Sequence, residues 1–286
     1  GSGFLGVPGV EVVILYPKGK VSHIQELQLT TQGQNITSLE VDGVFDDCQE
    51  MVKTAFLDET LKPHRNLTSA NSINVARWLP QSFYYFFAVQ ELMKRKVDNP
   101  FVFSVPSGNF GNICAGFIAR ELGLPISHFI ASTNQNDTFP RYMENGIFEP
   151  KPSVQTISNA MDVGNPSNFD RISKLFNQDL FRLKNICSSY CFSDKETIIA
   201  MQDLYENFSY ISDPHGAIGY LGLQKYCKNN PDVYGVFLET AHPVKFLDVV
   251  EKAIKKKVSI PPQIEEIMGK KSEKTSISSY RELKEF

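Results

Sequence analysis

The chain has no surplus of positive charge. Lysine and arginine number 29 against 32 acidic residues, a formal net charge of −3. It therefore lacks the basic footprint that a phosphate backbone requires, and no nucleic acid is expected as a partner. Long apolar runs are also missing: no stretch approaches the ~20 residues that span a bilayer, and no charged, apolar and small-residue signal sequence opens the chain. No membrane partner is expected, and the expected location is cytoplasmic. Cysteine is sparse and odd in number. Cys48, Cys114, Cys187, Cys191 and Cys227 are spread over a chain too long to depend on disulfides, so they read as reduced thiols. Cys187 and Cys191 lie close in sequence, but no nearby histidine or second cysteine pair completes a four-ligand zinc set. Burial is the expectation for this pair, and no metal ion is expected.

What is present is a globular composition, 42% hydrophobic and 21% charged over 286 residues, enough for one large domain or two modest ones. Gly1-Ser2 reads as a vector-derived remnant, and residues 3–10 as a helix tail falling into a turn. Val12–Tyr16 is a short apolar run ended by Pro17, which suits a strand buried in a parallel sheet. Helix follows over 20–30, strand over 35–41, and helix over 45–56, where Phe45, Cys48, Met51, Val52 and Phe56 recur at helical spacing. The same alternation resumes: helix 81–96, strand 101–105, helix 112–122 and strand 126–131, then helices 196–205 and 217–227, strand 234–238 and helix 243–256. Strands alternating with helices imply an α/β protein with a largely parallel sheet. The aromatic run Phe83, Tyr84, Tyr85, Phe86, Phe87 is read as core packing. Beyond Ile260 the chain becomes polar, and the tail is expected to be partly mobile.

The strand at 101–105 runs into Ser107-Gly108-Asn109-Phe110-Gly111-Asn112 and then a helix. A helix amino terminus offers unpaired N–H groups and the positive end of a dipole, and glycines let backbone close on an anion. Ser107, Asn109 and Asn112 would add side-chain donors. No lysine and hydroxyl follow the glycines as in a Walker loop, and the spacing is not that of a dinucleotide fingerprint. On the residues alone the loop is either a phosphate site or a tight turn with a cap. Asn71, Ser72 and Arg77 form a second donor set, readable either as an anion site or as a helix cap beside a surface arginine.

Five segments in order carry a resemblance: Asn71-Ser72-Ile73-Asn74-Val75-Ala76-Arg77, the Ser107–Asn112 loop, Ser158–Asn168, Asp213-Pro214-His215-Gly216-Ala217, and Thr240-Ala241-His242-Pro243-Val244-Lys245-Phe246. Together they resemble the threonine synthases, within the fold-type II, tryptophan synthase β-like enzymes that use pyridoxal 5'-phosphate. The likeness runs from about Phe4 to about Ile254. It implies the three-layer, largely parallel α/β architecture of that fold type, truncated at the amino terminus. The implied organisation is a remnant of the smaller domain at 3–70, the larger cofactor-binding domain at 71–260 with the cleft between them, and a tail at 261–286. It implies a carbon-oxygen lyase that converts O-phospho-L-homoserine and water to L-threonine and phosphate. Ser107, Gly108, Asn109, Phe110, Gly111 and Asn112 would cradle the cofactor phosphate, and Thr240 would face the pyridine nitrogen. Asn71, Ser72 and Arg77 would grip the substrate phosphate.

The same resemblance exposes a gap. The family's Schiff-base lysine lies in a Phe-Lys-Asp segment, which occurs nowhere in these residues, and the loop for the substrate carboxylate is also missing. Both are expected upstream, so none of the residues present is assigned as catalytic. Lys245 belongs to a different matched segment and is expected at the surface. The chain alone is expected to be inactive, with exposed apolar surface promoting self-association. Two rivals stand beside this reading: another fold-type II lyase, and a phosphate-ligand module that lost its lysine. His215 and His242 are either structural or catalytic. Asp162 is either a site residue or a buried acid that fixes a loop, and Asn134, Asn136, Asp137 and Thr138 either line a cleft or form a turn.

Overall fold

A computed structural model of the chain describes residues 2–72 and 74–286; Gly1 and Ile73, from the expected remnant and the first matched segment, lie outside the described residues. In chain order the strands are β1 (Val12–Pro17), β2 (Ile36–Val41), β3 (Phe101–Pro106), β4 (Ile126–Thr133), β5 (Cys187–Cys191), β6 (Tyr234–Phe237) and β7 (Thr275–Ile277). The helices are α1 (His23–Thr30), α2 (Phe45–Leu57), α3 (Val75–Trp78), α4 (Ser82–Lys94), α5 (Gly111–Glu121), α6 (Thr138–Asn145) and α7 (Phe169–Leu175). They continue with α8 (Leu180–Ile186), α9 (Asp194–Phe208), α10 (Pro214–Cys227), α11 (Leu247–Ile254), α12 (Pro262–Met268) and α13 (Tyr280–Leu283). Every strand pairing among them is parallel.

The chain divides into two compact units, Gly1–Leu67 with Pro243–Phe286, and Thr68–His242. The first holds a sheet of order β1-β2-β7, with Leu15 opposite Leu39 and Val41 opposite Ile277. Its α1 starts at a reciprocal cap, in which Ser22 Oγ accepts from Gln25 N and Gln25 Oε1 accepts from Ser22 N. Such a cap satisfies two of the helix's unpaired N–H groups. Residues 243–260, expected with the larger domain, belong to this unit, as does the tail beyond 260. The reason is local: β7 adds an edge strand beside β2, Ile277 is buried, and Lys274 bonds Glu40 at 2.7 Å. Lys245, expected at the surface, is half-buried, and its carbonyl accepts from Ser22 Oγ.

The second unit holds the sheet of order β5-β4-β3-β6. β3 is buried along its whole length, which explains a run that is apolar but for Ser104, whose hydroxyl donates to Gly219 O at 2.6 Å. Phe103, Phe117, Phe129 and Tyr85 are fully or almost fully buried, with Phe117 and Phe129 edge to face at 5.0 Å. Each such ring stabilises the unit by roughly 1.5–3 kcal/mol through burial. The aromatic run on α4 only partly fulfils its expectation: Tyr85 is buried, but Phe83 and Phe87 are 59% and 68% exposed. Consecutive residues point about 100° apart round a helix axis, so five in a row cannot share one buried face. Cys187 is buried as expected, whereas Cys191 at the far end of edge strand β5 is exposed.

Candidate functional site

In the second unit's sheet β3 sits between β4 and β6, and the chain winds from β3 towards β5 on one side and returns to β6 on the other. Parallel sheets bind ligands outside the carboxyl ends of strands at such a reversal. Three segments emerge there: the loop Ser107–Asn112 after β3, Asn134 after β4, and Glu239-Thr240 after β6. Leu238 N bonds Ser104 O at 3.0 Å, which keeps the β3 and β6 ends side by side.

The loop is held from beneath. Ser107 N donates to Ser132 O at 2.8 Å, and Ser107 Oγ donates to Val105 O at 2.8 Å. Phe110 takes left-handed backbone (φ 62°) and packs its ring on Phe139 at 4.5 Å, so the next residue, Gly111, begins α5. Among the described residues no acceptor takes the backbone N–H groups of Gly108, Asn109, Phe110, Gly111, Asn112 or Ile113. Six unclaimed donors at the positive end of an 11-residue helix suit a dianionic phosphate. The glycines are required by close approach. A Cβ on Gly108 would lie 2.6 Å from Met161 Cα, and one on Gly111 would lie 2.8 Å from Ser72 Cβ.

Side chains of the loop serve it differently from the sequence expectation. Ser107's hydroxyl is spent on the backbone. Asn109 bridges, its Nδ2 donating to Ser72 Oγ at 2.8 Å while its Oδ1 accepts from Ser167 N at 2.7 Å and Ser167 Oγ at 3.0 Å. Asn112 Oδ1 accepts from the hydroxyls of Tyr84 and, at 2.7 Å, Tyr85. The free donors are therefore mainly main-chain N–H groups, and the side chains position them.

The second donor set is partly brought to the first. Ser72 lies against Gly111 and Asn109, and Asn71 Oδ1 accepts from Ser72 N at 2.6 Å. Arg77, in α3, is exposed and donates from Nε to Ala70 O at 3.1 Å. Arg171 was missed by sequence reasoning. Its Nη1 donates to Asn168 Oδ1 at 2.5 Å and Ser72 O at 3.3 Å, while Asn168 Nδ2 donates to Asn109 O at 2.8 Å. Nothing in the sequence ties Arg171 to residues about a hundred positions earlier; only the fold does.

Asn134 is buried and donates within a network of Thr156, Ser158 and Asp162, with Asp162 Oδ1 at 2.9 Å. Asp162 also accepts from Thr156 N at 2.9 Å and Thr156 Oγ1 at 2.7 Å. It is the loop-fixing acid of the two sequence alternatives. Asp137 pairs with Arg141 at 2.9 Å, and Thr138 Oγ1 donates to Gly164 O at 2.8 Å. Both serve the start of α6. Burial pushes the Asp162 carboxyl up to about 6, against the donors that favour its charge. A folded-state pKa raised above the ordinary value stabilises the fold at low pH, and that contribution is lost as pH rises through about 6. The expected result is a melting temperature that falls as pH rises from the ordinary carboxyl value of 3.8 to about 6, with a smaller fall in Asp162→Asn. Equal slopes in differential scanning calorimetry would contradict this assignment.

Thr240 is exposed in the segment after β6, and His242 is also exposed. His215 is buried, with Nδ1 2.5 Å from Asp213 Oδ1, and its Nε2 accepts from Ala160 N at 3.2 Å. Of the two alternatives for His215, this packing is structural.

Comparison with known proteins agrees with this geometry. Residues 6–236 match the family model described as pyridoxal-phosphate dependent enzyme, and the chain belongs to that family. Within it the similarity is to threonine synthases: residues 216–286 match the model described as threonine synthase, C-terminal. The threonine synthase of Buchnera aphidicola is 46% identical over 262 residues, covering 92% of this chain and 60% of that protein. The crystal structure of threonine synthase from Escherichia coli superposes with a TM-score of 0.94 at 42% identity, over 99% of this chain and 65% of that one. The PLP-bound threonine synthase from Brucella melitensis gives 0.85 at 32%, over 99% and 66%. The chain spans about 60% of the length of the curated relatives it matches. Among the described residues, no helix is long and apolar enough to cross a membrane.

Proposed function

We propose that this chain is the cofactor-phosphate and substrate-phosphate binding part of a threonine synthase acting on O-phospho-L-homoserine. The observation that carries the reading is the meeting of the two donor sets, with Ser72 Oγ 2.8 Å from Asn109 Nδ2 and stacked against Gly111. One phosphate needs one cradle; a phosphorylated cofactor and a phosphorylated substrate together need two adjacent ones. This argues against a lyase of unphosphorylated amino acids. The six free N–H groups of Gly108–Ile113 fit the pyridoxal 5'-phosphate phosphate, and Arg77 with Asn71 and Ser72 supplies the second anion site. Thr240 sits at the neighbouring strand end, where its neutral hydroxyl would meet the ring nitrogen without holding a proton there. Bound cofactor would supply the electron sink for loss of the γ-phosphate and addition of water at Cβ. The chain's own residues bind and orient the two phosphates. Free thiols and the family relationship support a cytoplasmic location, and the exposed Phe83 and Phe87 support self-association.

The test is isothermal titration with O-phospho-L-homoserine against L-homoserine. Only the phosphorylated compound is expected to bind, and Arg77→Ala is expected to weaken it on the order of tenfold or more, a charge-assisted contact being worth about 1.5–3 kcal/mol. Equal binding of both compounds would overturn the reading. The 286 residues contain no Phe-Lys-Asp segment, so the chain alone, given cofactor and substrate, is expected to release no phosphate. Release detected colorimetrically would refute that.

A further inference from the structure

Behind Thr240 lies a pair of acids, one buried and one half-buried, that the proposed chemistry does not use. Asp213, the N-cap of α10, is fully buried, and its Oδ1 accepts from His215 N at 2.8 Å and faces the His215 ring. Glu239 directly precedes Thr240. Its Oε1 accepts from Ser212 Oγ at 2.6 Å, and its carboxyl lies so close over Gly216 that a Cβ there would collide with it. One oxygen of each acid, Asp213 Oδ2 and Glu239 Oε2, is buried with no hydrogen-bond partner, and Ser212 and Gly216, on either side of Asp213 at the start of α10, hold the Glu239 carboxyl beside it.

A proton shared between the two neighbouring acids would satisfy both orphaned oxygens together. The titratable groups that face the pair are His215 and Tyr210. Ala160 N donates to His215 Nε2, so the ring proton lies on Nδ1, towards Asp213. Two like charges held this close, one of them wholly buried, repel, and one shared charge is the arrangement such a site tolerates. The helix N-terminus and the His215 N–H favour that charge on Asp213. We infer that Asp213 and Glu239 share one proton, carried by Glu239, and that this acid pair is a positioning unit clamping the Thr240 segment to the start of α10. Burial and the neighbouring Asp213 charge both push the Glu239 carboxyl well above the carboxylate range, in keeping with this. The meaning of the clamp for cofactor binding rests on the reading of Thr240 above; the shared proton does not.

Infrared spectroscopy of the chain at mildly alkaline pH, where Asp162 is ionised, tests it. A protonated-carboxyl C=O band is expected, shifted in D2O and lost in Glu239→Gln. The amide still donates to Asp213, so this variant keeps the fold but loses the decline in melting temperature that wild type shows as pH rises towards about 9. Absence of the band from wild type, its persistence in Glu239→Gln, or an unchanged alkaline decline would overturn the inference. Should Glu239→Gln not fold, Asp213→Asn serves instead: an amide donor replaces the repelling charge, Glu239 ionises, and the band again disappears; persistence overturns the inference. A chain that shows the band but fails to bind pyridoxal 5'-phosphate would defeat the cofactor reading and leave the acid pair intact.

Discussion

Gly108→Ala is expected to weaken binding of pyridoxal 5'-phosphate by on the order of 10- to 100-fold while leaving binding of phosphate-free pyridoxal unchanged. The added Cβ would sit 2.6 Å from Met161 Cα and 3.1 Å from Ala160 O. Those are backbone atoms, fixed by the Asn134 network, so the loop must yield instead. Overpacking of this kind costs roughly 1–3 kcal/mol, and here it falls on the alignment of the N–H groups of Gly108–Ile113. Equilibrium dialysis of both compounds against wild type and variant separates a phosphate defect from a general one. Unaltered affinity for pyridoxal 5'-phosphate would show that the loop is only a turn.

Asn134→Ala is expected to lower stability by about 3 kcal/mol, since each buried partner left unsatisfied costs roughly 1–3 kcal/mol. Thr156, Ser158 and Asp162 all bond this one amide, and Asn136 N donates to its Oδ1 at 3.0 Å. A unit of this size should lose on the order of 5–10 °C in melting temperature. Gln135→Ala, at the exposed neighbouring position, is expected to change nothing. Matching melting curves for the two variants would rule out the network as a structural support of the loop.

Much of the fold was legible because its signals are local. β3 is an almost wholly apolar run, as a strand buried on both faces must be, and β2 was legible from its alternation; β1, an apolar run read as doubly buried, is only partly covered, with Val13 exposed. The caps of α1 and α9, Ser22 with Gln25 and Ser193 with Glu196, are local too, although the sequence reading started these helices at 20 and 196 instead. β5 was missed because Cys187-Ser188-Ser189-Tyr190-Cys191 is neither an apolar run nor a clean alternation; it pairs with β4 only as an edge strand. β7 was missed because three residues in a polar tail carry no period, and its strand exists through pairing with β2. In the site, the glycine loop was legible from its residue types. Arg171 and the Asp213–Glu239 pair were not, since the partners that give them meaning lie far away along the chain.

By itself the sequence determined the alternation of parallel strands and helices, the glycine loop at a helix start, and the presence of a second donor set. Those depend on hydrophobic period and backbone permissiveness, which are properties of neighbouring residues. Only the tertiary structure decided that the loop's side chains brace it while its N–H groups stay free. The same structure sets Ser72 against Gly111, returns the tail to the first sheet, and brings two acids together over a glycine. Each of these is a contact between distant segments, and its energy depends on burial and on distance, neither of which exists until the chain has folded.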